Sequence, residues 1–278
     1  MEPCTAREAM PQFHAVPNKE TLGDSPGRRS FVLYNHNDFW QVILYYMKID
    51  SNQKNKEAKK LLVLDWDGTL LDNLNLLYLC ISTVFKKYGI EPPTVDQYRQ
   101  EIDIDFMHFF YARGLPLEVT MEEVQQILKK TKYDYYVRKE NPLNIKIRED
   151  AVRVLSRCHD LGIKTAVISA EVSEVLERGL VKFGVKSLLD HVRGFVFQKR
   201  IAILETCELF NISSAQSFYV DDLASGIENA KQAGVTVFGM MNNGHNSPER
   251  ILKAKPHFAV DSLTEVLEIM EKFDKSTF

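Results

Sequence analysis

Residues 61–70 of the chain read LLVLDWDGTL. The first four are apolar without a break, which predicts a short strand buried on both faces, as in a parallel sheet. The strand ends at Asp65 and Asp67, and side chains two residues apart on an extended chain point to the same side, roughly 7 Å apart. Gly68 and Thr69 then turn the backbone and leave amide N–H groups free to meet an anion. The segment therefore predicts a buried strand whose carboxyl end presents two acids to one small ligand.

Strands and helices alternate along the second half of the chain. This alternation predicts an α/β fold, a doubly wound parallel sheet with helices on both faces. Ligands of such sheets bind beyond the carboxyl ends of the strands. The predicted strands after the first are 164–169, 191–197, 216–222, 235–240 and 257–260, and the predicted helices between and after them are 149–161, 172–183, 201–210, 224–233 and 263–273.

Polar residues follow several of these strands, and we expect them to converge at one sheet edge. They are Asp65, Asp67, Ser169, Asp221 and Asp222. Crowded carboxylates repel each other at neutral pH unless a cation lies among them. Oxygen ligands without Cys or His favour Mg²⁺ over zinc. A magnesium site of this kind suits phosphoryl transfer, because the ion also neutralises a phosphate dianion.

The sequence Asp-x-Asp-Gly-Thr-Leu at 65–70 resembles the first motif of the haloacid dehalogenase (HAD) superfamily. Ser169, Lys199 and Asp222 match the second, third and fourth motifs of that family. The resemblance extends over about residues 61–273. It implies a Rossmann-like core, a helical cap between the first and second motifs, and an enzyme of the phosphoglycolate-phosphatase-like branch.

The resemblance also implies a role for each matched residue. Asp65 would attack phosphorus to form an aspartyl-phosphate, and Asp67 would protonate the leaving oxygen and later activate water. Ser169 would hold the transferring phosphoryl group, and Lys199 would steady the nucleophile and the phosphate. Asp222 would bind Mg²⁺ together with Asp65 and the backbone carbonyl of Asp67. The complete candidate set is Asp65, Asp67 and Lys199 as catalytic residues, Gly68, Ser169, Ala170 and Lys199 as phosphate-binding residues, and Asp65, Asp67, Asp221 and Asp222 as metal ligands.

Ordinary structural interpretations compete with several of these roles. Ser169 could cap a helix, and Lys199 could be a surface lysine, since no proline follows it as in many relatives. The pair Asp221-Asp222 could cap the following helix. Many relatives carry glycine before the fourth-motif Asp and a second acid four residues after it, but here those positions hold Asp221 and Gly226. An adjacent Asp-Asp pair also occurs in the family, so Asp221 is a candidate for the second acid's role.

The predicted domains are an N-terminal extension and linker at 1–60, partly disordered, an α/β core at 61–73 and 143–278, and a helical cap at 74–142. The segment 31–47 could form a short helix or strand. Three helices are predicted in the cap, at 74–88, 95–110 and 119–136.

Charge and cysteine content limit the classes of binding partner and the cell compartment that the sequence predicts. The 278 residues carry 35 basic and 38 acidic side chains, interspersed along the chain, with a net charge of −3. This balance argues against a nucleic-acid or anionic-membrane surface. Scattered cysteines and the absence of a transmembrane-length run or secretory leader favour a reduced, cytoplasmic chain. The oligomeric state is not predicted.

The sequence thus predicts a Mg²⁺-dependent phosphatase acting on a small phosphorylated metabolite. Two alternatives remain open, a phosphomutase of the β-phosphoglucomutase type and a non-catalytic module that keeps the pocket. Arg113 could contact an anionic group of the substrate, and His245 could lie at the rim of the pocket, although a surface arginine and an ordinary loop residue are the simpler interpretations.

Overall fold

The computed structural model describes residues 60–137 and 141–272, all of which belong to one compact unit, Lys54–Phe278. The expectations for the N-terminal extension, including the element predicted at 31–47, lie outside the described residues. Within the described part, no helix combines the length and apolarity needed to cross a membrane.

The described residues form eight strands and ten α-helices. The strands are β1 (Leu61–Leu64), β2 (Leu71–Asp72), β3 (Lys146–Ile147), β4 (Lys164–Ile168), β5 (His191–Arg193), β6 (Ser217–Asp221), β7 (Thr236–Met240) and β8 (Phe258–Val260). The helices are α1 (Leu74–Lys87), α2 (Val95–Glu101), α3 (Phe106–Ala112), α4 (Met121–Val137), α5 (Ala151–Asp160), α6 (Ser173–Lys182), α7 (Lys199–Phe210), α8 (Ala224–Gln232), α9 (Pro248–Lys253) and α10 (Leu263–Lys272).

Six strands form a parallel sheet in the order β5-β4-β1-β6-β7-β8. Strand β1 lies inside the sheet, with Leu61 beside Lys164 of β4 and Ser217 of β6. Leu62 and Leu64 pack into one apolar cluster with α5, α6 and α10, whereas Leu61 and Val63 pack into a second with α7, α8 and α9. Helices therefore cover both faces of the sheet, which confirms the predicted doubly wound α/β fold.

Helices α1 to α4 carry an apolar cluster of their own, built around Phe85, Tyr98, Phe110 and Val124. The short antiparallel ladder of β2 and β3 joins the two ends of this helical segment. Gly89 follows α1 with φ +71°, a left-handed conformation that ends the helix where glycine predicted its end. These features support the assignment of residues 74–142 as a cap, which stays a proposal.

Two elements differ from their predicted extents by more than two residues. The predicted helix at 95–110 is broken at 102–105, where the Arg250 guanidinium binds the carbonyl of Ile102 at 2.6 Å and the carboxylate of Asp103 at 2.8 Å. This long-range contact has no signal in the local pattern. Strand β5 ends at Arg193 rather than 197, because the backbone turns at Phe195 with φ +60°. The Phe195 N–H donates to the backbone carbonyl of Glu171.

Helix α9 was not predicted, although a signal was present. Ser247 accepts a hydrogen bond from the Arg250 N–H, and Pro248 occupies the first position of the helix. Serine at the N-cap followed by proline is a common start of a helix.

Candidate active site

Three carboxylates meet at the carboxyl ends of the neighbouring strands β1 and β6. Asp65 follows β1 directly and donates its N–H to the Val220 carbonyl at 3.0 Å, which continues the pairing of the two strands. Asp221 and Asp222 end and follow β6. One carboxylate oxygen from each acid lies within 4.8 Å of the others, and all three side chains are buried. The structure thus brings together acids from two separate segments, as the sequence predicted for this edge.

Burial and mutual repulsion keep protons on this group near neutral pH. Burial raises the pKa of Asp65 to about 7, where the Asp221 charge adds to the effect and the Lys199 charge opposes it. Burial and the Asp65 charge raise the pKa of Asp222 to about 7, and burial raises that of Asp221 to about 6. A divalent cation would relieve this repulsion, and a set of oxygen donors alone fits Mg²⁺.

Hydrogen bonds and a close backbone approach fix the position of Asp222. Thr69 Oγ1 donates to its Oδ1 at 3.0 Å, and the His245 N–H donates to its Oδ2 at 2.6 Å. Gly68 adopts φ +78°, and a Cβ added there would lie 2.1 Å from Asp222 Oδ2. The turn after β1 therefore requires glycine for two reasons, its left-handed backbone and its contact with Asp222.

Asp221 occupies the space that a side chain at position 226 would need. Its Oδ2 accepts a hydrogen bond from the Tyr219 hydroxyl at 2.6 Å, and its Oδ1 accepts one from the Leu223 N–H at 2.8 Å. A Cβ on Gly226 would lie 2.0 Å from Asp221 Oδ2. The two departures from the family pattern, Asp221 and Gly226, therefore belong together. Asp221 supplies an acid from the end of β6, and the glycine in α8 leaves space for its carboxylate.

Lys199 and Ser169 lie beside the three acids. Lys199 begins α7, is 2% exposed, contacts the Asp65 carboxylate and donates to the Ile168 carbonyl at 2.5 Å. It is therefore not a surface lysine. Ser169 follows β4, accepts a hydrogen bond from the Glu171 N–H at 3.1 Å and lines the same cavity as Ala170. The roles of these residues in phosphate binding stay predictions.

The Asp67 carboxylate lies outside the group of three acids. Its Oδ2 accepts from Lys132 Nζ at 2.7 Å and its Oδ1 from Asn73 Nδ2 at 2.5 Å. Burial alone would raise the pKa of Asp67, but the charge and hydrogen bond of Lys132 lower it below the ordinary value. The expected metal contact of Asp67 is through its backbone carbonyl, and this contact stays a prediction.

Sequence reasoning missed Lys132, which reaches the site from α4. The side chain is 5% exposed and forms ion pairs with Asp67 and with Glu171. A local signal existed, since Lys132 follows Val124 and Leu128 at four-residue spacing on the apolar side of α4. A lysine on the apolar side of a helix needs carboxylate partners when it is buried, and here Asp67 and Glu171 are those partners.

Arg148 was also missed. Its guanidinium donates to the carbonyls of Gly68, Thr69 and Asn242, each at 2.6 Å. The bonds to Gly68 and Thr69 fix the backbone of the turn after β1, which contacts Asp222.

A cavity of about 130 Å³ opens above Asp65 and extends toward α1 and α4. His245 lines it and is 2% exposed, which makes it a buried residue rather than an ordinary loop residue. Its Nδ1 lies 2.9 Å from the Tyr98 hydroxyl, and burial lowers its pKa to about 4. Arg113 lies away from the lining residues and pairs with Glu101 at 2.5 Å, so the structure does not bring it to the cavity.

Comparisons with known proteins agree with this fold. The family model described as "Haloacid dehalogenase-like hydrolase" matches residues 62–240. The chain is 24% identical over 221 residues to the phosphoglycolate phosphatase of Vibrio parahaemolyticus, covering 76% of this chain and 96% of the relative. It is 27% identical over 220 residues to the "Putative pyrophosphatase PpaX" of Caldanaerobacter subterraneus, covering 76% and 94%.

Solved structures show the same fold. The crystal structure of a "predicted phosphatase" from Clostridium acetobutylicum is similar with a TM-score of 0.62 and 18% identity, covering 78% of this chain and all of that one. Because the family model matches more than half of the sequence, this chain belongs to the haloacid dehalogenase-like hydrolase family and is a hydrolytic enzyme.

Proposed function

We propose that this chain is a Mg²⁺-dependent phosphatase that hydrolyses a small phosphorylated metabolite through an aspartyl-phosphate on Asp65. The observation that carries the proposal is the position of Asp65, whose carboxylate contacts Lys199 and lies within 4.8 Å of the carboxylates of Asp221 and Asp222. The relatives named as phosphatases support the same reaction class. Residues 74–142 are proposed to be the cap that covers the reacting phosphate.

Asp65, Asp221 and Asp222 are proposed to hold the ion. Mg²⁺ bound there would reduce the repulsion between a carboxylate nucleophile and a phosphate dianion and polarise the phosphoryl oxygens. Lys199 would keep the Asp65 carboxylate oriented and supply one positive charge to the phosphoryl group. Ser169 and the backbone N–H group of Ala170 are the proposed donors to its oxygens. Gly68 was also predicted to bind phosphate, but its N–H donates to the Leu71 carbonyl at 2.9 Å and to Asn73 Oδ1 at 3.1 Å, so it is not among the proposed donors.

The first step forms a bond between an Asp65 carboxylate oxygen and phosphorus and breaks the ester bond to the leaving oxygen. Asp67 gives its proton to that oxygen. In the second step a water molecule attacks phosphorus, Asp67 takes the proton of the water, and the Asp65 carboxylate leaves. Lys132 favours the ionised form of Asp67, which suits the second step, so the first step requires Asp67 to be protonated or its contact with Lys132 to loosen.

Phosphate release from p-nitrophenyl phosphate with and without Mg²⁺ tests the proposal. We expect Asp65→Asn to lose activity by at least about 10³-fold, because it removes the nucleophile. Mass spectrometry of the acid-quenched wild type should find the phosphoryl group on the peptide that contains Asp65. If wild type and variant release equally negligible phosphate, the chain is the non-catalytic module. If phosphate is exchanged between sugar phosphates without net release, the chain is the phosphomutase.

A further inference from the structure

The cavity wall opposite Asp65 is apolar. It is built from α1, α4 and the segment that links α2 to α3. Its aliphatic and aromatic lining residues are Leu77, Ile81, Ile102, Ile104, Phe106 and Leu128. The uncharged polar side chains beside this wall are Gln125 and Tyr98, and the Tyr98 hydroxyl contacts His245. The part of a substrate that extends away from the reacting phosphorus would therefore lie mainly against hydrocarbon.

The cations that line this cavity already have carboxylate partners in the protein. Lys132 binds Asp67 and Glu171, and Lys199 contacts Asp65. Lys129 pairs with Glu174 at 2.8 Å and lies at the rim, with 42% of its side chain exposed. An anionic leaving group would have to draw one of these lysines away from its partner.

The acids in the lining increase this difficulty. Besides Asp65 and Asp221, which are proposed to hold the ion, the lining acids are Asp67, Asp103 and Glu171. Asp103 pairs with Arg250, a residue of α9. A second negative charge on the substrate would therefore meet only lysines that already pair with carboxylates, and its desolvation in this apolar site would be costly.

We propose that the substrate is a phosphate monoester of an uncharged, largely apolar alcohol, and not a phosphate ester that carries a carboxylate or a second phosphate. This inference rests on the proposed phosphatase function and deepens it by naming the leaving group. The cavity of about 130 Å³ is comparable in size with apolar cavities that bind one benzene ring, so it has room for a short branched alkyl chain. The inference separates this chain from its relatives that are named for phosphoglycolate and pyrophosphate.

Two phosphate esters of matched shape test the leaving group. Isobutyl phosphate and phosphoglycolate place the same number of heavy atoms beyond the ester oxygen, but only the second carries a carboxylate. With Mg²⁺ present, we expect kcat/KM for isobutyl phosphate to be about tenfold higher or more. Along a series of linear alkyl phosphates, kcat/KM should rise by up to about fourfold for each methylene until the wall is covered.

A charge placed in the wall tests its contribution. Ile104→Lys should raise the ratio of kcat/KM for phosphoglycolate to that for isobutyl phosphate by about tenfold. Ile104→Met, which keeps the wall apolar and has nearly the same length, should leave this ratio close to that of the wild type. A lower ratio, or an equal change in both variants, would contradict the assignment of the wall.

Failure of the inference and failure of the proposed function give different results. If phosphoglycolate is hydrolysed as fast as isobutyl phosphate or faster, with activity that requires Asp65, the phosphatase stands and the apolar leaving group is overturned. If acetyl phosphate, p-nitrophenyl phosphate and both esters all give no release that depends on Asp65, the phosphatase and the inference fall together.

Discussion

Lys132 Nζ lies 2.7 Å from Asp67 Oδ2, and this ion pair joins helix α4 to the turn that follows β1. Glu171, after β4, holds the same ammonium group from the other side. All three side chains are at least 85% buried. One lysine therefore links the helical segment between the motifs to two strand ends of the sheet.

Replacing Lys132 should destabilise the protein strongly. Lys132→Met leaves two buried carboxylates without their partner, and we expect the free energy of unfolding to fall by about 3–5 kcal/mol. Urea unfolding measures the loss. Lys130→Met is the matched control, because it removes an exposed pair with Asp134 on the same helix and should cost less than about 0.5 kcal/mol. Similar losses in both variants would show that the buried pair does not hold α4 in place.

The contact between Asp221 and Gly226 should make substitutions at these positions non-additive. Gly226→Ala places a methyl group where Asp221 Oδ2 lies, and we expect it to cost about 1–3 kcal/mol. In the background of Asp221→Gly the same change should cost little, since the clash is gone. Thermal unfolding of the two single variants and the double variant gives the coupling. Glu228→Ala, on the exposed side of α8, serves as the control, and additive costs would contradict the proposed contact.

Stabilisation by Mg²⁺ should depend on pH. The pKa values of Asp65 and Asp222 in the folded chain are about 7, above their ordinary value near 3.8. Without metal, these groups therefore cost stability progressively as the pH rises from about 4 to about 7. Mg²⁺ competes with their protons, so the rise in melting temperature on adding Mg²⁺ should be larger at about pH 8 than at about pH 5.5. An equal rise at both values, or a full rise in Asp222→Asn, would argue against a metal at these acids.

The buried cysteines should resist alkylation in the native protein. Burial raises the pKa of Cys80 and of Cys158 to about 12, so that little thiolate is present at about pH 8. Iodoacetamide should label neither residue until the protein is unfolded, as read by mass spectrometry of the separate peptides. Rapid labelling of Cys80 in the folded state would show that α1 opens from the core.

The sequence was sufficient for the features that depend on local pattern. The apolar run at Leu61–Leu64 predicted a buried strand, and the common edge of parallel strands predicted the meeting of Asp65 with Asp222. Helix α9 had a local start signal, but the other features that the sequence did not predict depend on contacts between distant segments. Lys132 meets Asp67 only after α4 packs, and the break at 102–105 depends on Arg250. The spacing of Val124, Leu128 and Lys132 placed this lysine on the apolar side of α4, but it did not indicate which carboxylates would hold it.

The position of β1 inside the sheet affects how the chain can fold while it is being translated. Leu61 leaves the ribosome first, but its two neighbours in the sheet, Lys164 and Ser217, are translated much later. Until then the most apolar strand has both edges unpaired, a state that is prone to aggregation in a nascent chain. A premature stop codon before Ser217 should therefore yield an insoluble product dependent on chaperones rather than a smaller folded enzyme.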